Sequence, residues 1–210
     1  MSSFPFISSF IALMNSSAIF VCENYYERNE NLAENLFRSE DTGLWLRLVT
    51  SEELDNPLIF QEKRAKTLAL CDLTDIPIDF PFDIVAKDIT FLLQTHNLDA
   101  PILNNALSTL RLDSNVYVYE ASPDVAQVTE LYRIKRGPMI KRHFGTWTPR
   151  TQMIGVNLNK WERRNNLMGI DLIDTWLPWT PFTFFNEETG EVDGEDIKFL
   201  FMISLFDHLL

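Results

Sequence analysis

Residues 17–22 read Ser-Ala-Ile-Phe-Val-Cys, and residues 67–73 read Thr-Leu-Ala-Leu-Cys-Asp-Leu. Both runs are short and almost continuously apolar, the pattern of strands covered on both faces. Strands of that kind belong to parallel sheets, because the crossover helices of βαβ units lie over both sides. Between them, Asn24-Tyr25-Tyr26-Glu27 opens a helix running to about Arg38, with Leu32, Leu36 and Phe37 on its inner face. Asn24 is the expected cap, since its side chain accepts from the orphan amides of a first turn. Asp41-Thr42-Gly43 ends that helix, and Leu44–Val49 is a further strand. Strand, helix, strand, crossover, strand predicts an α/β fold with a mostly parallel sheet and helices on both faces. In such a sheet Cys22 and Cys71 lie near strand carboxyl ends on the same edge.

The flanks extend this core. Phe4–Met14 fits a short apolar helix. The span 1–22 carries no charge, which invites a leader reading, but it lacks a positive start and Asn15-Ser16-Ser17 interrupts it. A packed helix followed by a buried strand is the expectation, with a cleaved leader as the alternative. Downstream, Asp75–Phe82 is a proline-punctuated loop, and Asp83–Thr95 reads as a helix breaking into a strand. Pro101 opens a helix over 102–110, and Asn115–Glu120 is strongly strand-forming. Thr129–Lys135 and Met139–Phe144 flank Arg136-Gly137-Pro138 as an antiparallel hairpin, closed by Gly145-Thr146-Trp147. From Thr148 to Arg164 the chain is polar, basic and weakly periodic, the texture of an inter-domain connection. The expected organisation is therefore an α/β domain over 1–150, a linker over 151–166, and an incomplete second α/β lobe over 167–210. That lobe comprises a strand over 170–176, an extended aromatic run over 178–185, an acidic turn over 186–196 and a helix from Ile197 that stops without a cap. The ending reads as a truncation.

The chain of 210 residues has 18 Lys+Arg against 30 Asp+Glu, a formal net charge of −12. Such a chain repels phosphate backbones, so nucleic acid is not an expected partner. The stretch Arg133–Arg164 departs from this, holding nine of the 18 basic residues and one acid, Glu162. That stretch carries +8, leaving −20 for the rest. A solvated basic hairpin beside acidic helices is the plain reading of the asymmetry. No run of ~20 apolar residues marks a membrane span.

Reaction chemistry is not written in the chain. Neither a G-x-G-x-x-G nor a G-x-x-x-x-G-K-[ST] loop occurs, and no G-x-S-x-G elbow. His96, His143 and His208 are far apart, without metal-ligand spacing. The acidic run Asn186–Glu195 fails as a calcium loop: with Gly194 at the loop glycine, Thr189 falls at the first ligand position and Leu200 at the bidentate acid. No catalytic, cofactor-binding or metal-ligating residue is assigned. Cys22 and Cys71 form a disulfide in an extracellular chain, or stay inert buried thiols in the cytosol. Asn15-Ser16-Ser17 is a glycosylation sequon.

Trp161-Glu162-Arg163-Arg164-Asn165-Asn166-Leu167-Met168-Gly169-Ile170-Asp171-Leu172 is the most informative stretch. An aromatic, a double arginine, Asn-Leu-x-Gly and an alternating strand resemble the junction in arthropod chemosensory ionotropic receptors, relatives of the ionotropic glutamate receptors. There the amino-terminal domain passes into the ligand-binding domain. Ile19–Cys22, Leu70–Leu73, Leu112–Val116, Leu131–Ile134 and Phe144–Trp147 resemble, in order and spacing, the amino-terminal domain of the odorant-sensing branch. The resemblance implies the extracellular amino-terminal region of a ligand-gated cation channel subunit at the plasma membrane, working in olfaction. Its role would be folding, assembly with other receptor subunits into a hetero-oligomer, and positioning of the ligand lobe. The pore helices, the second ligand lobe and the ligand-anchoring arginine region are absent, so no ligand-contacting residue carries over. Gly169 entering a strand suggests a bend or close backbone approach. Arg163 and Arg164 are either a solvated basic linker or bridges to acids of the ligand lobe. The alternative to the receptor is a cytoplasmic, acidic α/β interaction module that docks through Arg133–Arg142.

Overall fold

Strand β1 (Ala18–Cys22) and strand β3 (Thr67–Asp72) lie side by side in parallel, Ala18 opposite Thr67 and Val21 opposite Leu70, and every residue in both is buried. Apolar side chains on both faces of a strand require cover on both faces, and the rest of the chain supplies it. The computed structural model describes residues 4–29, 45–54, 56, 66–95, 97–98, 101–122, 124–135, 137–167, 184–186 and 191–193. The chain divides into two units, Met1–Asn159 and Lys160–Leu210.

In the first unit the order is α1 (Phe4–Met14), β1, α2 (Glu23–Arg28), β2 (Trp45–Val49), α3 (Ser51–Leu54), β3, α4 (Phe82–Val85) and β4 (Ile89–Thr95). Then follow α5 (Pro101–Ala106), β5 (Val116–Ala121), β6 (Ala126–Arg133), β7 (Met139–Thr148) and β8 (Gln152–Gly155). The eight strands make one sheet in the order β2-β1-β3-β4-β5-β6-β7-β8. Pairing is parallel from β2 through β5 and antiparallel from β5 through β8. The result is a mixed α/β fold, mostly parallel, with an antiparallel extension.

Alternation along the strands assigns the two faces. On one, Phe10 of α1 packs against Tyr117 and Phe144, and Phe6 against Tyr119 and Trp147. Phe91 pairs with Val116, so it faces the other way, where it stacks with Phe80 and Phe82. Each run of phenylalanines thus pins a helix or loop to one side of the sheet. α1 ends in a reversal that needs no glycine. Asn15 takes the left-handed conformation at φ 51, while Asn15 N donates to Ala12 O and Ser16 N to Ile11 O. Those two bonds satisfy the last carbonyls of the helix, and asparagine tolerates that backbone better than most residues.

Two expectations need correction. α2 starts two residues early, with Cys22 rather than Asn24 in the capping position and no side-chain cap bond. The helix springs directly from the strand end, which leaves Asn24 inside the first turn. Residues 30–38 of the helix expected there lie outside the described residues. Secondly, the stretch from Thr148 to Arg164 is not a connection throughout: it contains β8, whose Ile154 pairs with Thr146 of β7. Pro149 presets the turn, Thr148 Oγ1 accepts from Thr151 N at 3.1 Å, and Gln152 completes the reversal at φ 58. The first unit therefore reaches Asn159 rather than 150.

The second unit shows α6 (Lys160–Arg163) and an antiparallel pair, β9 (Phe184–Asn186) with β10 (Glu191–Asp193), Val192 opposite Phe185. The strand expected over 170–176 and the terminal helix from Ile197 lie outside the described residues, as do Gly169, His96 and His208. Among the described residues no helix is long and apolar enough to cross a membrane.

Candidate functional site

All strands of a parallel sheet end on one edge. Where the strand order reverses, successive crossovers leave in opposite directions and the carboxyl ends become the preferred place for recognition. Here the reversal is at β1, with β2 on one side and β3, β4 and β5 on the other. The side chains gathered at that edge come from β1, α2, β3, β4 and β5.

Cys22 and Cys71 each follow directly on the Val21–Leu70 pair of adjacent strands, and the structure joins them as a disulfide with Cα atoms 4.9 Å apart. Neither sulfur faces solvent, since both residues are buried. Next to them runs a hydrogen-bonded file. Tyr119 OH donates to Gln94 Oε1 at 3.0 Å, and Asn29 Nδ2 donates to the same oxygen at 3.4 Å. With the Tyr119 proton so engaged, Tyr25 OH is the donor in the 2.8 Å contact between the two phenols. Burial pushes both phenols above their ordinary pKa. They stay neutral, and they serve as a rigid polar strut in an apolar layer, not as bases.

Asp72, at the end of β3, is equally committed. Its Oδ1 accepts from Thr74 N at 2.9 Å and Thr74 Oγ1 at 2.7 Å, and its Oδ2 accepts from Arg28 at 2.6 Å. Asp72 N in turn donates to Asp75 Oδ2 at 3.0 Å, closing a reciprocal cap over the 3₁₀ turn Leu73–Asp75. Burial raises the Asp75 carboxyl above the usual range, and the neighbouring Asn24 side chain and Asp72 amide pull it back in part. Arg28 is half-exposed, so its guanidinium stays partly open to solvent at this edge. The arrangement locks strand ends and orients α2. Among the described residues no group of three or more His, Cys, Asp and Glu gathers to hold a metal ion.

Other residues singled out from the sequence sit elsewhere. Asn15 is exposed at the end of α1. His143 is exposed on β7, 3.3 Å from Thr146 Oγ1. Arg163 and Arg164 are both buried, at 5% and 2% exposure, which corrects the solvated-linker reading. The physical reason is local: in the single turn of α6, Trp161 and Glu162 face water and the next two residues turn inward, Arg164 N donating to Lys160 O. Asn165 and Asn166 are exposed and Leu167 is half-buried. The basic hairpin is also less solvated than its charge suggests. Arg133 donates to Leu107 O, Gly137 O and Asn104 O, and Lys141 reaches Leu98 O. Two cations of the hairpin thus clasp α5 and its flanks. Tyr25, Tyr119 and Gln94 escaped sequence reasoning, because nothing in their local patterns distinguishes a polar strut from ordinary strand and helix positions.

No known family model matches the chain, and no curated protein matches it.

Proposed function

We propose that the chain is the amino-terminal α/β domain of a chemosensory ionotropic receptor subunit, with the opening of its ligand-binding lobe behind it. Its work is folding, pairing with other receptor subunits, and positioning that lobe on the extracellular side of the plasma membrane. The observation that carries this reading is the Cys22–Cys71 disulfide. Such bonds persist in oxidising compartments and are rare in the cytosol. The bond ties two strands whose residues belong to the ordered set resembling that family. Asn15 supports the same compartment, since an exposed sequon asparagine at a helix end is open to a glycosyltransferase.

A second reading is an acidic α/β interaction module in the cytosol, docking through the basic hairpin. What favours it is the concentration of positive charge on one hairpin of a −12 chain. Sequencing the full transcript beyond the Leu210 codon separates the two. An open frame encoding a second ligand lobe and membrane-spanning helices supports the receptor; a frame continuing into a cytosolic domain sinks it.

A further inference from the structure

β8 ends the eight-stranded sheet, and its exposed residues are Gln152 and Ile154. Ile154 and Thr146, and Gln152 and Thr148, are directly opposed on β8 and β7, and Val156 N donates to Phe144 O at 2.8 Å. Residues 152, 154 and 156 therefore spend their backbone groups on β7. By alternation Met153, Gly155 and Asn157 aim theirs outward, beyond the last strand. The side chains alternate too. Gly155 faces Leu13 and Phe144 under α1, whereas Ile154 and Val156 stand on the opposite face, 61% and 36% exposed, with Leu158 following at 46%. An edge whose outward backbone groups meet no partner among the described residues, with an apolar row beside it, is a template for another strand.

Charge says which strand. Residues 126–159 contain six cations and one acid, Glu130, and Glu130 is buried. Lys141 and His143 share the face of Ile154, and Arg150 is exposed in the turn that opens β8. A second copy paired antiparallel about Gly155 would set the basic turns near like charges. We propose that the outer edge of β8 takes an extended acidic segment of another polypeptide as an added strand, with apolar side chains at alternate positions beside Ile154 and Val156. The inference stands on the sheet alone and holds under either reading above.

The test uses the full chain and a labelled, end-capped decapeptide alternating valine with glutamate. Controls are the valine–lysine peptide and a valine–glutamate peptide with two central prolines. Anisotropy reads binding, and hydrogen exchange reads the Met153, Gly155 and Asn157 amides. The expected result is saturable binding of the acidic peptide, at least about tenfold tighter than the lysine peptide and abolished by proline, with exchange of those three amides slowed. Ile154→Ser with Val156→Ser, both on exposed positions, weakens it by about tenfold or more, and Arg150→Glu by several-fold. Equal binding of the lysine peptide, or acidic-peptide binding that leaves those amides unprotected, overturns the proposal. So does protection that needs no peptide and grows with protein concentration, which would assign the edge to a second copy.

Discussion

Removing the Cys22–Cys71 bond is the perturbation whose size follows most directly from the structure. The bond spans a sequence separation of 49 residues. A loop of about 50 residues gives a chain-entropy stabilisation of about 4 kcal/mol at 25 °C. The folded side of the balance changes little, because both residues are buried in neighbouring strands already held by the β1–β3 ladder. Two small thiols fit where the disulfide lay. Reduction should therefore leave the sheet intact but lower its stability by about 4 kcal/mol, or about 8–16 °C in Tm for a chain of this size. Urea unfolding of oxidised protein, reduced protein and the Cys22→Ala/Cys71→Ala variant measures this. The slope of ΔG against urea should steepen on reduction, because an uncrosslinked unfolded chain exposes more surface. A loss under about 1 kcal/mol with an unchanged slope would refute the reasoning, since it would mean that the unfolded chain was never constrained.

Further outcomes follow from other parts of the fold. Phe10→Ala should cost about 3–5 kcal/mol in thermal or chemical unfolding, because Phe10 is fully buried against Phe6, Tyr117 and Phe144. A negligible loss would mean that α1 does not pack in the core. Gly145→Ala places a Cβ 2.5 Å from Ile154 O and 2.9 Å from Gly155 Cα, backbone that cannot yield, and should cost about 1–3 kcal/mol. Gly155→Ala comes too close only to the Leu13 side chain, itself 44% exposed, meets Phe144 at an ordinary 3.6 Å, and should stay within about 1 kcal/mol of the parent in the same assay. Two carboxylates should respond oppositely to pH. Asp75, raised by burial, holds its proton in the folded state to higher pH than in the unfolded chain, so its contribution is present below the ordinary value and is lost as pH rises. Asp75→Asn should flatten that fall. Glu53, lowered by the Thr50 amide and Arg47, lends stability above its ordinary value and loses it as pH falls, by less than about 1 kcal/mol because the pair is near the surface. Urea midpoints of Glu53→Gln and Asp75→Asn across the acidic range check both signs.

Much of the fold was legible where burial alone dictates pattern. Ile19-Phe20-Val21-Cys22 and Leu68-Ala69-Leu70-Cys71 admit little but doubly covered strands, and α1 follows the expected Phe4–Met14 bounds. The eighth strand was hidden because its turn uses Gln152, not glycine, in the left-handed conformation. The four residues of β8 are too few to assert a period against the polar flanks. The polar strut was hidden for a different reason. The β4–β5 register sets Gln94 opposite Tyr119 and α2 brings Tyr25 to them, and sequence carries no record of that arrangement until the sheet is built. Arg163-Arg164 shows the same limit: charge predicts solvation on average, but a single helical turn decides which side chain turns inward.

The proposed role places this α/β domain in an oxidising, glycosylating compartment as part of a receptor. Mass spectrometry of the native chain, digested without reduction, reads it directly. The account predicts one cross-linked peptide joining Cys22 to Cys71 and a glycan on Asn15. Alkylatable thiols at both cysteines, together with a bare Asn15, would contradict it.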